Sequence, residues 1–234
     1  MKKNIQQIIA VFIIIIVSQS SLKAQDDCCG MGSIFSSLLQ SGIFGGYGVQ
    51  MYDAKGLNEV LPSEDFRDYG TSWGWRVGAN IIQLQQQDLM MGLKFYYQQT
   101  TEKQSITDQE IKMDLKQWNF GVSFSYIVNN NIDIRVFDAL MSWTNVELTN
   151  EVQGFEKDVY KSPESSIGFA FDTGVVYYPF PPYFSIEVIG GYSFFSLDEA
   201  NLEEGESSLT KIENIVDGGG FFANAVLTVG IPFN

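Results

Sequence analysis

The chain has 234 residues, 28 acidic against 14 basic, no histidine and a formal net charge of −14. The missing histidine excludes Ser-His-Asp and Cys-His catalysis, histidine-bearing zinc sites and a histidine pH switch. The acidity argues against a nucleic-acid partner, whose phosphates want a basic surface, and 45% apolar with 14% aromatic residues excludes a disordered chain.

Lys2 and Lys3 precede the ten-residue apolar run Ile8–Val17, which is followed by polar Ser18–Ser21 and by Leu22, Lys23 and Ala24. A basic start, a short apolar stretch and a small residue at the end predict a cleaved secretory signal peptide over 1–24. The run is half of the roughly 20 residues that a spanning helix needs. Cleavage would remove three lysines and take the net charge from −14 to −17. Residues 25–41 read as an N-terminal periplasmic tail, in which Ile34, Phe35, Leu38 and Leu39 have the spacing of one short amphipathic helical turn. Cys28 and Cys29 fall in this tail. Asp27 does not suit a lipoprotein signal, and adjacent cysteines rarely bridge each other. They read as incidental thiols, with a bond to a partner as the alternative that export permits.

From residue 42 the apolar period becomes two, and eight segments show it. In chain order the apolar faces begin at Ile43, Trp73, Leu89, Trp118, Ile132, Ile167, Phe184 and Phe221, each opposite a row dominated by Gly, Ser, Asn and Gln. Such alternation over about ten residues is the signature of a strand. In the fifth segment Ile132, Ile134 and Val136 share one phase while Ala139, Met141 and Trp143 share the other, which predicts a β-bulge near Phe137.

The connections alternate in length. Residues 53–71, 102–114, 145–166 and 197–217 read as long polar loops that together hold 21 acidic and 7 basic residues, a net of −14. Gln85–Asp88, Asn129–Asn131 and Pro179–Pro182 read as tight turns.

Two barrels fit this pattern. A soluble, lipocalin-like barrel keeps its apolar face inward around a ligand, whereas a membrane barrel turns that face to lipid. The small, weakly charged character of the polar rows favours the second, because an eight-stranded lumen is narrow and filled by side chains. The aromatic positions agree. Trp73, Trp75, Trp118 and Trp143, all the tryptophans of the chain, fall near the long-loop ends, and Tyr126, Tyr177, Phe184 and Phe233 fall near the short-turn ends. Girdles at two levels are what headgroup interfaces select. Over residues 42–234 the chain resembles the small OmpA/OmpX-like outer-membrane barrels: eight alternating strands, four long outer loops and the end Val229-Gly-Ile-Pro-Phe-Asn234. That end looks like the signal read by the barrel-insertion machinery, although the family usually closes on an aromatic residue and here Asn234 follows Phe233. The resemblance implies an all-β, eight-stranded antiparallel up-and-down transmembrane barrel in the bacterial outer membrane. Lipid and lipopolysaccharide would surround it, with an outer-membrane protein partner as a further option.

The polar rows also carry Arg76, Lys94 and Arg135 with Asp133, Asp138, Asp172 and Glu187. Three cations and four anions in a narrow interior are expected to pair, because an isolated buried charge is costly; a structural plug is the simpler reading and an ion path the sharper one. Asp172 and Glu187, on neighbouring strands, have the chemistry of an acid–base pair, but no nucleophile accompanies them. Asp198, Glu199, Glu203, Glu204 and Glu206 are weak Ca²⁺ candidates without the ordered spacing of a dedicated loop. No cofactor is expected. Outer-membrane barrel acyltransferases and proteases rely on a histidine that this chain lacks. The expected role is therefore a non-enzymatic outer-membrane barrel that is structural, adhesive or partner-binding through its acidic outer loops. The alternatives are a subunit of a larger complex, a narrow channel, or a lipid-acting barrel enzyme.

Overall fold

The computed structural model describes residues 41–60, 66–180 and 183–231. The signal-peptide segment, the tail up to residue 40 with Cys28 and Cys29, and Phe233 lie outside the described residues, while Ser41, expected as the tail's last residue, already belongs to the first strand.

Eight long strands form the wall: β1 (Ser41–Asp53), β2 (Thr71–Gln86), β3 (Leu89–Ile106), β4 (Gln109–Asn129), β5 (Ile132–Val152), β7 (Ser166–Phe180), β8 (Phe184–Phe194) and β11 (Gly218–Ile231). Each pairs antiparallel with its neighbours. β5 pairs with β7, β8 with β11 and β11 with β1, so the sheet closes on itself. Closure leaves no open edge in the wall, which is how an isolated sheet satisfies every backbone group.

Along each wall strand the residue rows alternate between outward and inward. On β4, Trp118, Phe120, Val122, Phe124 and Tyr126 point outward, and Gln117, Asn119, Gly121, Ser123 and Ser125 point inward. The phase change in β5 is a bulge: Phe124 faces Phe137 while Ser125 faces Arg135, so Val136 has no partner on β4. Val136 and Phe137 are therefore both exposed outward, and Arg135 and Asp138 both turn inward. Inward glycines keep the bore narrow. A Cβ on Gly78 would lie 2.2 Å from the carbonyl oxygen of Phe95 and 2.7 Å from the Phe44 ring.

The long outer segments are not irregular loops. β3 and β4 continue as a hairpin through 102–114, turning only at Thr107–Asp108, with Thr107 in the left-handed region at φ 35°. β5 runs on to Val152 and there pairs with β6 (Asp158–Lys161) in place of β7. β6 pairs with β9 (Leu197–Glu204), and β9 with β10 (Lys211–Val216). The short helix α1 (Lys55–Glu59) packs on β10, where Gly56 allows the approach: a Cβ there would sit 2.2 Å from the Asn214 carbonyl oxygen.

These additions enclose an apolar core. Leu57, Tyr69, Ile111, Met113, Leu115, Val146, Leu148, Leu197, Ala200, Ile212 and Ile215 are buried in one cluster. Counting charge made these segments look like loops; their strand character lies in residue parity. On β4, Ile111, Met113 and Leu115 occupy the same inward row as Gln117 and Asn119, while Lys112 and Lys116 occupy the row of Trp118 and Phe120. The apolar face thus switches from inside to outside between Leu115 and Trp118. At the other end of the barrel the turns are tighter than the sequence implied. Gln85 and Gln86 still belong to β2, and the β2–β3 turn is Gln87–Asp88, which Gln87 permits by taking φ 55°.

Candidate functional site

Three regions could carry function: the outward belt, the charged lumen and the outer cap. The belt is aromatic at the level of the face switch. Trp73 stacks on Tyr47 at 6.3 Å between ring centroids, Trp75 lies 5.4 Å from Tyr97, and Tyr97 lies 4.7 Å from Trp118. Trp143 is the direct register partner of Trp118. The belt continues on the far wall, where Tyr192 meets Phe194 at 4.7 Å and Phe221 at 4.9 Å. At the other level Tyr126 and Tyr177 are about half exposed. Between the two levels the outward residues are almost entirely apolar, among them Val77, Phe95, Phe120, Phe171, Val188 and Leu227.

The lumen brings four of the seven sequence-identified charges together. Lys94 Nζ lies 2.7 Å from Asp138 Oδ2 and 3.9 Å from Glu187 Oε1. Arg135 lies 3.1 Å from Asp138 Oδ1, also pairs with Glu187, and donates to Ser123 Oγ. The bulge is what makes this possible, because it places Arg135 and Asp138 consecutively on the inward row. The other three stand apart. Asp133 accepts a hydrogen bond from Tyr178 nearer the short turns. Asp172 is the register partner of Asp138, yet neither of its carboxylate oxygens has a hydrogen-bond partner among the described residues. Among the described residues Arg76 has no carboxylate within ion-pair distance, but Asp172 is its electrostatic neighbour; its guanidinium carbon sits 4.6 Å from the centroid of Tyr96 and 5.5 Å from that of Phe222. Direct contacts therefore join four of the seven charges expected to pair, while Arg76 packs among aromatic rings and meets Asp172 only electrostatically.

Sequence reading missed a second feature of the lumen. Phe44, Tyr96, Leu140, Ala170, Ile189, Phe222 and Val226 form a buried apolar cluster inside the bore. Each lies on a nominally polar row, so parity was the available signal.

In the cap, Glu102 is a hub. Its Oε2 accepts from Tyr52 Oη at 2.5 Å and from the backbone N–H groups of Gly70 and Thr71 at 3.2 and 3.0 Å. Tyr69 Oη donates to the Ile111 carbonyl at 2.9 Å. Burial, reinforced by the neighbouring Glu102 carboxylate, raises the ionisation of both Tyr52 and Tyr69 well above the ordinary tyrosine range. The cap surface is paired where it can be: Lys103 with Glu110, Lys116 with Glu147, Lys161 with Glu203 and Lys211 with Glu199. Two of the weak cation-ligand candidates, Glu199 and Glu203, are thus engaged with lysines on neighbouring strands. Among the described residues no group of three or more carboxylate or thiol side chains is placed to hold a metal ion.

The register around the whole wall closes eight strands in up-and-down order. The fold is a closed, eight-stranded antiparallel barrel. No family model and no curated protein sequence matches the chain. Among solved structures it is similar to Neisserial surface protein A (NspA), with 12% identity, a TM-score of 0.48, and coverage of 82% of this chain and 96% of that one. It is also similar to Ail, the attachment invasion locus protein of Yersinia pestis, with 14% identity, a TM-score of 0.43, and 82% and 96% coverage. The outer membrane protease OmpT from Escherichia coli is similar at 10% identity, a TM-score of 0.42, and 82% and 95% coverage.

Proposed function

We propose that the protein is a non-enzymatic bacterial outer-membrane barrel that holds a folded, acidic cap at the cell surface for binding a partner. The observation that carries this reading is the face switch at the tryptophan level. Below it, apolar side chains point outward and polar ones inward, which suits lipid outside and a filled lumen. Above it, lysines and glutamates point outward over an apolar core, which suits water. One strand passing through both regimes marks a membrane boundary between Leu115 and Trp118. Short turns then lie in the periplasm and the cap lies outside.

The filled bore argues for display over transport. The ion network, with the inner apolar cluster interleaved among it, fills the barrel, and the cap core fills the strands beyond. The carboxylate pair weighed for acid–base chemistry is split: Glu187 is held by Arg135 and Lys94, while Asp172 is enclosed in the lumen. A partner would meet a rigid surface with a surplus of carboxylates, so a cationic partner face fits it best.

Intact-cell labelling tests this reading. A cysteine at Glu206, in the β9–β10 connection, should react with an impermeant maleimide on whole cells, and one at Asn130 should react only after lysis. A photo-crosslinking residue at the exposed Phe155 should then capture the partner. Labelling of Asn130 with protection of Glu206 would invert the orientation and end the surface-display reading.

A further inference from the structure

On the partner-binding reading above, on which this assignment rests, we propose that the contact point is the membrane-distal tip of the cap, where the β3–β4 and β5–β6 turns meet. The tip fits a folded protein surface whose apolar socket is ringed by lysine or arginine. One backbone bond ties the two turns, from the Gln153 N–H to the Asp108 carbonyl at 2.8 Å. β4 and β5 stay in register up to that level, with Glu110 opposite Glu151 and Gln109 opposite Val152.

Three features at this tip work against folding, each through different physics. Phe155 is 78% exposed, the most exposed large apolar side chain among the described residues. It lies beyond the end of β5 at Val152, far past the tryptophan level at Trp143, so water and not lipid surrounds it. Thr107 takes φ 35°, a left-handed conformation that a β-branched residue adopts only under strain. Glu110 and Glu151 face each other across the strand pair, where like charges repel. Lys103 offsets Glu110 at 2.7 Å, while Glu151 makes no ion pair among the described residues. Elsewhere the cap fills its core and pairs its lysines. Unfavourable features gathered at one place mark a surface kept for contact.

The chemistry of the tip selects the occupant. Phe155 N–H donates to the Val152 carbonyl at 3.0 Å and Gly154 takes φ 86°, so the ring is presented on a defined turn. A convex aromatic side chain on an ordered backbone acts as an anchor, and an anchor needs a concave apolar receptor. Around it Asp108, Glu110, Glu151 and Glu156 outnumber Lys103 and Lys157, so the complementary rim is cationic. The same carboxylates repel phosphate-rich surfaces, nucleic acid and anionic lipid alike.

A phage-displayed library of small folded domains is the probe, selected on the full chain in zwitterionic lipid nanodiscs and depleted on empty ones. Enriched binders should be rich in lysine and arginine and should lose affinity at least about tenfold on Phe155→Ser. Glu151→Gln should weaken them several-fold, more at low salt than at high. Glu213→Gln, which removes the same charge from an exposed position on β10, should leave them unchanged. Binders that tolerate Phe155→Ser, that lose as much on Glu213→Gln or that lack basic residues would overturn the proposal, and so would a selection that enriches nothing over empty nanodiscs. Nanodiscs expose both ends of the barrel, so the outcome does not depend on which side of the membrane the cap occupies. Protection of the Glu206 cysteine on intact cells would end surface display and leave the tip as a recognition site facing the periplasm.

Discussion

The face switch makes a prediction that can be worked from strand geometry. Val122 lies midway between Trp118 and Tyr126 on the outward row of β4, with Leu93 and Ala139 as its cross-strand neighbours. The eight residue steps from Trp118 to Tyr126 span about 27 Å along a strand at ~3.4 Å per residue. At a tilt of ~40° that becomes about 21 Å along the barrel axis, close to the ~25 Å apolar band of such barrels. Val122 is therefore near the bilayer midplane, where an outward arginine costs about 2–4 kcal/mol. At ~1.4 kcal/mol per tenfold, this lowers the folded-to-unfolded ratio roughly 30- to 700-fold. Lys116 is on the same row above the switch, where it pairs with Glu147 at 2.7 Å; Lys116→Arg keeps charge and partner and should cost less than about 0.5 kcal/mol. Reversible denaturant titration in phospholipid bilayers measures both. Equal costs for the two variants would mean that Val122 faces water, and the membrane assignment would fail.

Three further outcomes follow from the lumen and the cap. Met113→Ala, in the fully buried cap core, should lose about 2–5 kcal/mol by denaturant titration and make the 102–114 hairpin sensitive to protease. Lys94→Met leaves Asp138 without its closest cation and should cost about 3–5 kcal/mol, read as a lower temperature for the heat-dependent gel shift that such barrels show. The cap should also weaken in alkali. Tyr52 and Tyr69 have raised ionisation in the fold, so above the unfolded value near pH ~10 the unfolded chain gives up protons that the folded cap retains. Stability is complete below that pH and should fall above it, by up to about 1.4 kcal/mol per pH unit for each buried tyrosine; tyrosinate absorbance that rises only with cap unfolding would verify it, and ionisation at the ordinary pH in the intact protein would refute it.

How much of this was legible depended on whether the signal was local. Strand rows such as Trp118 to Tyr126 repeat within one segment, so the eight wall strands could be read directly. The slip between Val136 and Ala139 was equally local, and the bulge appears there as a register shift. The cap was hidden by charge. Segment 102–114 has Glu102, Lys103, Asp108, Glu110, Lys112 and Asp114, and that density masked the inward parity of Ile111 and Met113. The same parity argument would have revealed Phe44, Tyr96 and Leu140 as lumen filling. Charge partners were beyond reach for a different reason. Arg76 meets Tyr96 and Phe222, and the second contact joins β2 to β11 over the inward face of β1, which no spacing along the chain encodes.

The two halves of the strands are held by different forces, and this bears on how the surface works. In the belt, lipid outside removes the hydrophobic drive to fill the interior, so hydrogen-bonded rows, small residues and the Lys94–Asp138–Arg135–Glu187 network must specify the lumen. In the cap, water outside restores that drive, and Ile111, Met113, Leu115, Val146 and Ile215 are buried as in a soluble protein. Continuous strands couple the halves, because β4 and β5 cross the switch without a break. Under the proposed binding role, a cap carried on the continuous strands β3, β4 and β5 and packed on its own core loses little conformational entropy on meeting a partner. Recognition by such a surface is expected to proceed with small backbone movement, and its affinity should depend on the charged outward rows more than on loop ordering.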